Sequence, residues 1–261
     1  MSKPILGIIG GGQLGSLLAA AAKKINIKTI IFCDDPNAPG QKFSDEFIYG
    51  EYDSQNTIDQ FVNAVDIITF EFENIPYETL KKINNVKPVV PHPSINKIVQ
   101  NRLTEKDFLN KLNIRTTQYT SVNNLKDIFS NENLIPGLLK TCTLGYDGKG
   151  QYKINSTEEL ENKNINFNNR YVLEKLVKLK KEISVIITRF KDEKCAIYEP
   201  IENIHEDQIL KHSKIPADIN QKNLEQSKKW AHVIAEELNY IGTLCVEFFI
   251  DKNDNLYVNE I

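Results

Sequence analysis

The chain has no excess of positive charge: its 32 lysines and arginines are outnumbered by 35 aspartates and glutamates, for a formal net charge of −3 over 261 residues. That balance leaves no basic footprint for holding nucleic acid. No apolar run approaches the roughly 20 residues of a membrane span. The opening MSKPILGIIGGGQLG enters a strand pattern directly, without the cleavage region of a signal peptide. The chain is therefore expected to stay in the cytoplasm, to bind neither nucleic acid nor membrane, and to be a soluble enzyme by default. Cysteine is sparse as well. Cys33, Cys142, Cys195 and Cys245 stand far apart, form no C-x-x-C pair and mostly sit inside apolar runs, so they read as reduced thiols in or near the core. No internal repeat or low-complexity tract is present.

What is present reads as two domains, each long enough to bury a core. Ile5 to Gly10 is a buried-strand pattern, Gln13 to Ile25 an alanine-rich helix, and Lys28 to Cys33 a second strand, together a βαβ unit. Asp66 to Glu71 adds a strand, Pro76 to Ile83 a short helix, and Pro88 to Val90 a brief further strand, predicting a parallel sheet covered on both faces. A second region begins near Asn101, with a helix over Leu103 to Leu112, a strand near Gln118 to Ser121, a helix from about Val122 to Ser130, and an apolar approach at Leu138-Leu139. From Tyr171 the texture changes. Tyr171 to Glu174, Glu182 to Phe190 and Cys195 to Glu199 are strand-like with no room for crossover helices, which predicts an antiparallel sheet. Gln221 to Asn239 is the longest helix candidate and leads into strands Thr243 to Ile250 and Leu256 to Ile261. The fold class is thus α/β followed by α+β.

Two glycine-rich segments carry chemistry. In Lys140 to Gln151, KTCTLGYDGKGQ, a lysine leads into a loop where Gly145, Gly148 and Gly150 let main-chain N–H groups close on an anion such as a polyphosphate. No G-K-[ST] ends the loop, so it is not a P-loop, and a plain hairpin turn remains an alternative. Gly10-x-Gly12-x-x-Gly15 lies between a strand and a helix, the context of a phosphate-binding turn. With Asp34 or Asp35 as an acidic partner it also suits a nicotinamide cofactor, so cofactor and phosphorylated substrate both stay open. Glu247 interrupts the run Leu244 to Ile250, which otherwise reads as a buried strand. If Lys252 to Asn255 is a four-residue loop pairing Asp251 with Leu256, Glu247 faces Glu260. Two carboxylates at that separation repel unless a cation lies between them, and Mg²⁺ suits the position. The alternative is a solvent-facing acidic pair. His205, in a polar stretch, has no metal-ligand spacing.

Taken together, Thr69 to Asn74 (TFEFEN), Asn101 to Lys106 (NRLTEK), Gly145 to Gln151 (GYDGKGQ) and Val258 to Ile261 (VNEI) closely resemble the 5-(carboxyamino)imidazole ribonucleotide synthase family of ATP-grasp ligases in purine biosynthesis. The similarity runs over the whole chain, with four motifs in the family's order. The resemblance implies a Rossmann-like pre-ATP-grasp domain over 1–98 and an ATP-grasp domain over 99–261, with a lid subdomain at about 102–173. It implies a reaction in which ATP and bicarbonate give carboxyphosphate, whose carbon dioxide passes to the exocyclic amine of 5-aminoimidazole ribonucleotide. ATP and Mg²⁺, as two ions, are the implied cofactors, and a homodimer is among the assemblies admitted.

Carried over residue by residue, Lys140 and Arg102 contact ATP phosphates. Gly145, Tyr146, Asp147, Gly148, Lys149, Gly150 and Gln151 form the flap over them. Glu174, Lys175, Leu176 and Val177 hold adenine through the main chain, Glu182 binds ribose, and His205 makes a further nucleotide contact. Glu247 and Glu260 match the magnesium ligands, with Asn259 beside them. Glu73, Tyr146 and Lys149 match positions near the imidazole ribonucleotide, whose phosphate would occupy the turn of Gly10, Gly12, Gln13, Leu14 and Gly15. Two departures stand out. Leu144 replaces a usual glycine, so a stiffer flap is expected. The family continues past Val-Asn-Glu-Ile into a bicarbonate-binding segment and a small C-terminal domain, so the chain is expected to be a fragment or an incomplete gene model. Other ATP-grasp carboxylases, an inactive ATP-binding fragment and, remotely, an NAD(P)-dependent oxidoreductase are the alternatives.

Overall fold

The computed structural model describes residues 3–143, 150–206 and 209–261, and the chain divides into two compact units, 1–97 and 98–261.

In the first unit, β1 (Leu6–Ile9), α1 (Gln13–Lys24), β2 (Thr29–Cys33), β3 (Glu46–Tyr49), α2 (Gln55–Ala64), β4 (Ile67–Phe70) and α3 (Tyr77–Asn84) build a four-stranded sheet of order β3-β2-β1-β4. Its pairings are all parallel. Successive strand residues point to opposite faces, and both faces are filled. Ile9, Phe32 and Ile68 pack with Phe61, Leu80 and Ile83, while Ile8 and Ile31 pack with Ala19 and Ala38. This burial on both sides explains why β1 and β2 read as continuous apolar runs. The expected strand at Pro88 to Val90 is reduced to a single bridge between Ile68 and Val89. Val90 donates to the Ile68 carbonyl and Ile68 to that of Pro88, and the prolines on either side have no N–H with which to extend the ladder.

A single helical turn, α4 (Asn96–Val99), spans the division. In the second unit, α5 (Arg102–Lys111) is capped by Asn101, whose side-chain oxygen accepts the N–H groups of Leu103 and Thr104. β5 (Tyr119–Val122), α6 (Leu125–Phe129), β6 (Gly137–Thr141), β7 (Gln151–Ile154) and β8 (Tyr171–Lys175) follow, their strands forming an antiparallel sheet of order β5-β8-β6-β7. The chain then runs through β9 (Leu179–Arg189), β10 (Cys195–Ile197), β11 (Ile201–Glu206), β12 (Ile209–Lys214), α7 (Gln221–Glu237), β13 (Gly242–Asp251) and β14 (Leu256–Glu260). These strands make a six-stranded sheet of order β12-β11-β9-β13-β14, with β10 paired to β9.

At the centre of this sheet, β9 and β13 bury one face only. Ile183, Val185 and Ile187 of β9 and Leu244, Val246, Phe248 and Ile250 of β13 point to the side where α7 buries Ala231, Ile234 and Ala235. The other face is largely open, and Glu182 and Glu247 stand on it. Cys33 and Cys142 are buried as expected, whereas Cys245 is exposed on this open face. Among the described residues no helix is long and apolar enough to cross a membrane.

Candidate functional site

The register of the six-stranded sheet gathers four acidic and imidazole groups from four strands. β13 pairs with β9 so that Glu247 lies opposite Ser184 and Phe249 opposite Glu182. β11 brings Asn203 opposite Glu182, and His205 Nδ1 lies 3.0 Å from Glu182 Oε2. Asn203 in turn donates to Ser184 Oγ at 3.0 Å. On the far side of β13, Glu247 faces Glu260 of β14.

That facing pair matches the expectation, but the route to it differs. Leu256 pairs with Ile250 rather than Asp251, which leaves a five-residue connection. The Asp251 carboxylate organises it, accepting the N–H groups of Asn253 and Asn255, the Asn255 side-chain amide and the Tyr257 hydroxyl. With Phe248 opposite Val258, a straight ladder would set Glu247 against Asn259. A register shift between Glu247 and Phe248 inserts one residue and brings Glu260 into place, the re-aiming of a side chain that bulges commonly perform. The reading of Glu247 as lodged in a buried strand is corrected too. It is exposed at the sheet surface, because the apolar run serves a strand with one covered face. Protein atoms crowd it nonetheless. That crowding, followed by the charges of Glu260 and Glu182, raises its pKa above the ordinary value against the opposing pull of His205 and Asn259.

Beside this face lies a buried charge cluster. Lys140 on β6 places Nζ 3.3 Å from Glu174 Oε1 on β8, and Lys106 on α5 places its own Nζ 3.4 Å from the same oxygen. Thr117 Oγ1 donates to the other oxygen at 3.0 Å. Burial favours the neutral acid, but Lys140, Lys106 and the Thr117 hydroxyl overcome it and hold the Glu174 carboxyl down at about 2. Burial pushes the Lys140 ammonium below its ordinary value; Glu174 opposes this, and the nearby positive charges of Lys106 and Arg102 reinforce it. Arg102, the first residue of α5, lies 3.3 Å from Glu260 Oε1. Burial opposes its charge, yet Glu260, Glu174 and Glu105 raise its pKa.

Glu174 was expected to act through its main chain; its side chain is an anchor for Lys140. Lys175, the last residue of β8, donates its N–H to the Gln118 carbonyl and Leu176 to that of Pro136, and Leu176 and Val177 lie in the short connection from β8 to β9. Gln151 pairs with Lys140 across β6 and β7, and Gly150, at φ 71°, accepts the Thr141 N–H. Leu144, Gly145, Tyr146, Asp147, Gly148 and Lys149 lie outside the described residues.

The first unit carries its own part. Gly10 adopts φ 99°, and a Cβ there would fall 2.7 Å from Glu71 Oε1. Gly12 donates its N–H to that oxygen at 2.9 Å. Within the turn of Gly10, Gly12, Gln13, Leu14 and Gly15, the Gly12 N–H is therefore already taken by the Glu71 carboxylate. Glu73 is exposed, with its carbonyl accepting from Asn96 Nδ2. Glu71 and Lys106 carry no assigned role in the sequence reading. Both had a signal: Glu71 is two residues from Glu73 at a strand end, and Lys106 is four residues from Arg102 on one helix face.

Comparison with known proteins bears on this arrangement. Residues 2–100 match the ribonucleotide synthetase preATP-grasp domain and residues 107–261 the ATP-grasp domain. Over 261 aligned residues, 98% of this chain and 72% of the relative, the chain is 36% identical to N5-carboxyaminoimidazole ribonucleotide synthase of Brucella melitensis. The chain belongs to the N5-carboxyaminoimidazole ribonucleotide synthase family. Solved structures agree. A synthetase of the family in complex with ADP superposes with a TM-score of 0.93 at 33% identity, covering all of this chain and 70% of that one. The Staphylococcus aureus synthetase complexed with ADP also gives 0.93, at 34% identity over 98% and 69% of the two chains. Membership in the N5-carboxyaminoimidazole ribonucleotide synthase family sets aside the nicotinamide reading of the glycine turn.

Proposed function

We propose that the open face of the six-stranded sheet is the floor of an ATP site serving carboxylation of 5-aminoimidazole ribonucleotide. The chain is an ATP-dependent ligase of purine biosynthesis that makes N5-carboxyaminoimidazole ribonucleotide. The observation that carries the site reading is the facing Glu247–Glu260 pair, set on the same sheet face as Glu182 and beside Arg102.

In this reading a bicarbonate oxygen attacks the γ-phosphorus of ATP and ADP leaves. The carboxyphosphate formed then gives up phosphate as the exocyclic amine of the ribonucleotide takes its carbon and loses a proton. Phosphoryl transfer asks mainly for positioning and charge neutralisation. Lys140 and Arg102 supply positive charge to the phosphates, Glu182 with His205 takes the ribose, and the main chain of Glu174 to Val177 meets the adenine. The lid is the part of the second unit at about 102–173, with Gly145 to Gln151 its flap. Lys149, Tyr146 and Glu73 serve the ribonucleotide, and the Gly10 to Gly15 turn its phosphate.

The donor set fits Mg²⁺. Two carboxylates held face to face gain from a cation between them, and Mg²⁺ commonly takes a few carboxylate oxygens and fills its other positions with phosphate and water. Glu247 and Glu260, with Asn259 adjacent, would hold one or two such ions, which neutralise phosphate charge when bound.

The test measures ADP release and incorporation of labelled bicarbonate together, with and without 5-aminoimidazole ribonucleotide. Joint dependence of both on bicarbonate and ribonucleotide supports the assignment. ADP release indifferent to either would overturn it.

A further inference from the structure

Lys106 is 1% exposed, and its ammonium makes no well-formed hydrogen bond among the described residues. Its charged neighbour is Glu174 at 3.4 Å, with the Tyr119 ring centroid 5.9 Å away. A lysine stripped of water for so little return is costly for folding alone. Its position suggests what it does instead. Glu174 Oε1 lies between two ammonium groups at nearly equal distance, Lys106 from α5 and Lys140 from β6. One carboxylate cannot neutralise two cations, so the cluster keeps one net positive charge.

We propose that Lys106 is a positioning residue for the nucleotide: by sharing Glu174 with Lys140, it prevents that carboxylate from neutralising Lys140, whose charge then remains available to a phosphate. This rests on the reading of Lys140 as an ATP-phosphate contact. Lys140 is influenced by Glu174 of β8, Lys106 and Arg102 of α5, Glu182 of β9 and Glu260 of β14. Within that set, removing Lys106 takes away a positive neighbour, so Lys140 holds its proton to higher pH.

The experiment compares ATP affinity, by calorimetry across pH 6–10, in wild type, Lys106→Met, Glu174→Gln and the double variant. Methionine fills the lysine's volume without charge, and circular dichroism checks that each variant folds. Lys106→Met leaves the cluster neutral, and the expected result is about tenfold or greater weakening near neutral pH, with the alkaline loss of affinity displaced upward. Adding Glu174→Gln to Lys106→Met restores one net positive charge and is expected to recover most of the affinity. A merely structural lysine would give losses that accumulate in the double variant and an alkaline limb that stays in place, and either result would overturn the proposal. Failure of the wild type to bind ATP would instead count against the ATP-site reading beneath it.

Discussion

Glu105 offers a direct test of the electrostatics of the second unit. It is 2% exposed on α5, accepts the Ile261 N–H at 2.7 Å, and lies near Glu260. Burial, reinforced by Glu260 and only partly opposed by the Ile261 N–H, Lys106 and Arg102, raises its carboxyl from 4.5 to about 8. Between these values the folded chain holds a proton that the unfolded chain has released, so stability falls as pH rises through this window and is fully restored below 4.5. At 1.36 kcal/mol per pH unit, the penalty at pH 8 and above is on the order of a few kcal/mol. Glu105→Gln keeps the acceptor for the Ile261 N–H and removes the ionisation. Thermal melts of the ligand-free protein should show little difference between variant and wild type at pH 5. At pH 8.5 the variant should be more stable by about 2–3 kcal/mol, which is roughly 4–10 °C for a unit of this size. Equal differences at the two pH values, or a wild type more stable at pH 8.5, would refute the reasoning.

Glu247→Gln should weaken nucleotide binding in magnesium at least tenfold more than in its absence, measured by calorimetry in both buffers; an equal loss would make Glu247 structural. Asp251→Ala removes the acceptor of four hydrogen bonds in the β13–β14 connection and should cost about 2–4 kcal/mol in urea unfolding. Part of that contribution should also disappear in wild type as pH falls through the Asp251 carboxyl, which lies below its ordinary value because hydrogen bonds from Asn255, Asn253 and Tyr257 outweigh burial. Lys149→Ala should lower carboxylated product more than ATP affinity, since charge at the flap is needed where negative charge develops; parallel losses in kinetics and calorimetry would demote it to a general phosphate contact.

The parallel sheet was legible because β1 and all of β2 after Thr29 are apolar or glycine, and α7 because Leu224, Ala231, Ile234 and Ala235 fall at helical spacing over a length no strand reaches. β3 was not, since Glu46 and Tyr49 are exposed at a sheet edge and break the pattern. β11 and β12 were missed for a related reason: every residue of β12 is exposed, so no buried face imposes alternation on its sequence. At the site, Lys140, Arg102 and the facing glutamates could be read from motif and register. The shared carboxylate of Glu174 could not, because its partners come from residues 106 and 140 and meet only through tertiary packing. Glu71 stands two residues from Glu73 at a strand end, but its pairing with the Gly12 N–H joins residues 59 positions apart and has no trace in the sequence.

The hairpin that presents the paired glutamates also says where this chain can change length. A four-residue connection with a straight β14 and a five-residue connection with a bulge at Asn259 bring Glu260 to the same place opposite Glu247. The two irregularities are coupled at fixed chain length: pairing Leu256 with Ile250 instead of Asp251 shifts the ladder by one residue, and the bulge at Asn259 takes up that shift so that Glu260 still faces Glu247. A residue added within the connection leaves Glu260 in place as long as Ile250 stays opposite Leu256, whereas straightening β14 alone would set Asn259 there, so a graft of the hairpin into another scaffold would have to carry the bulge with its strands.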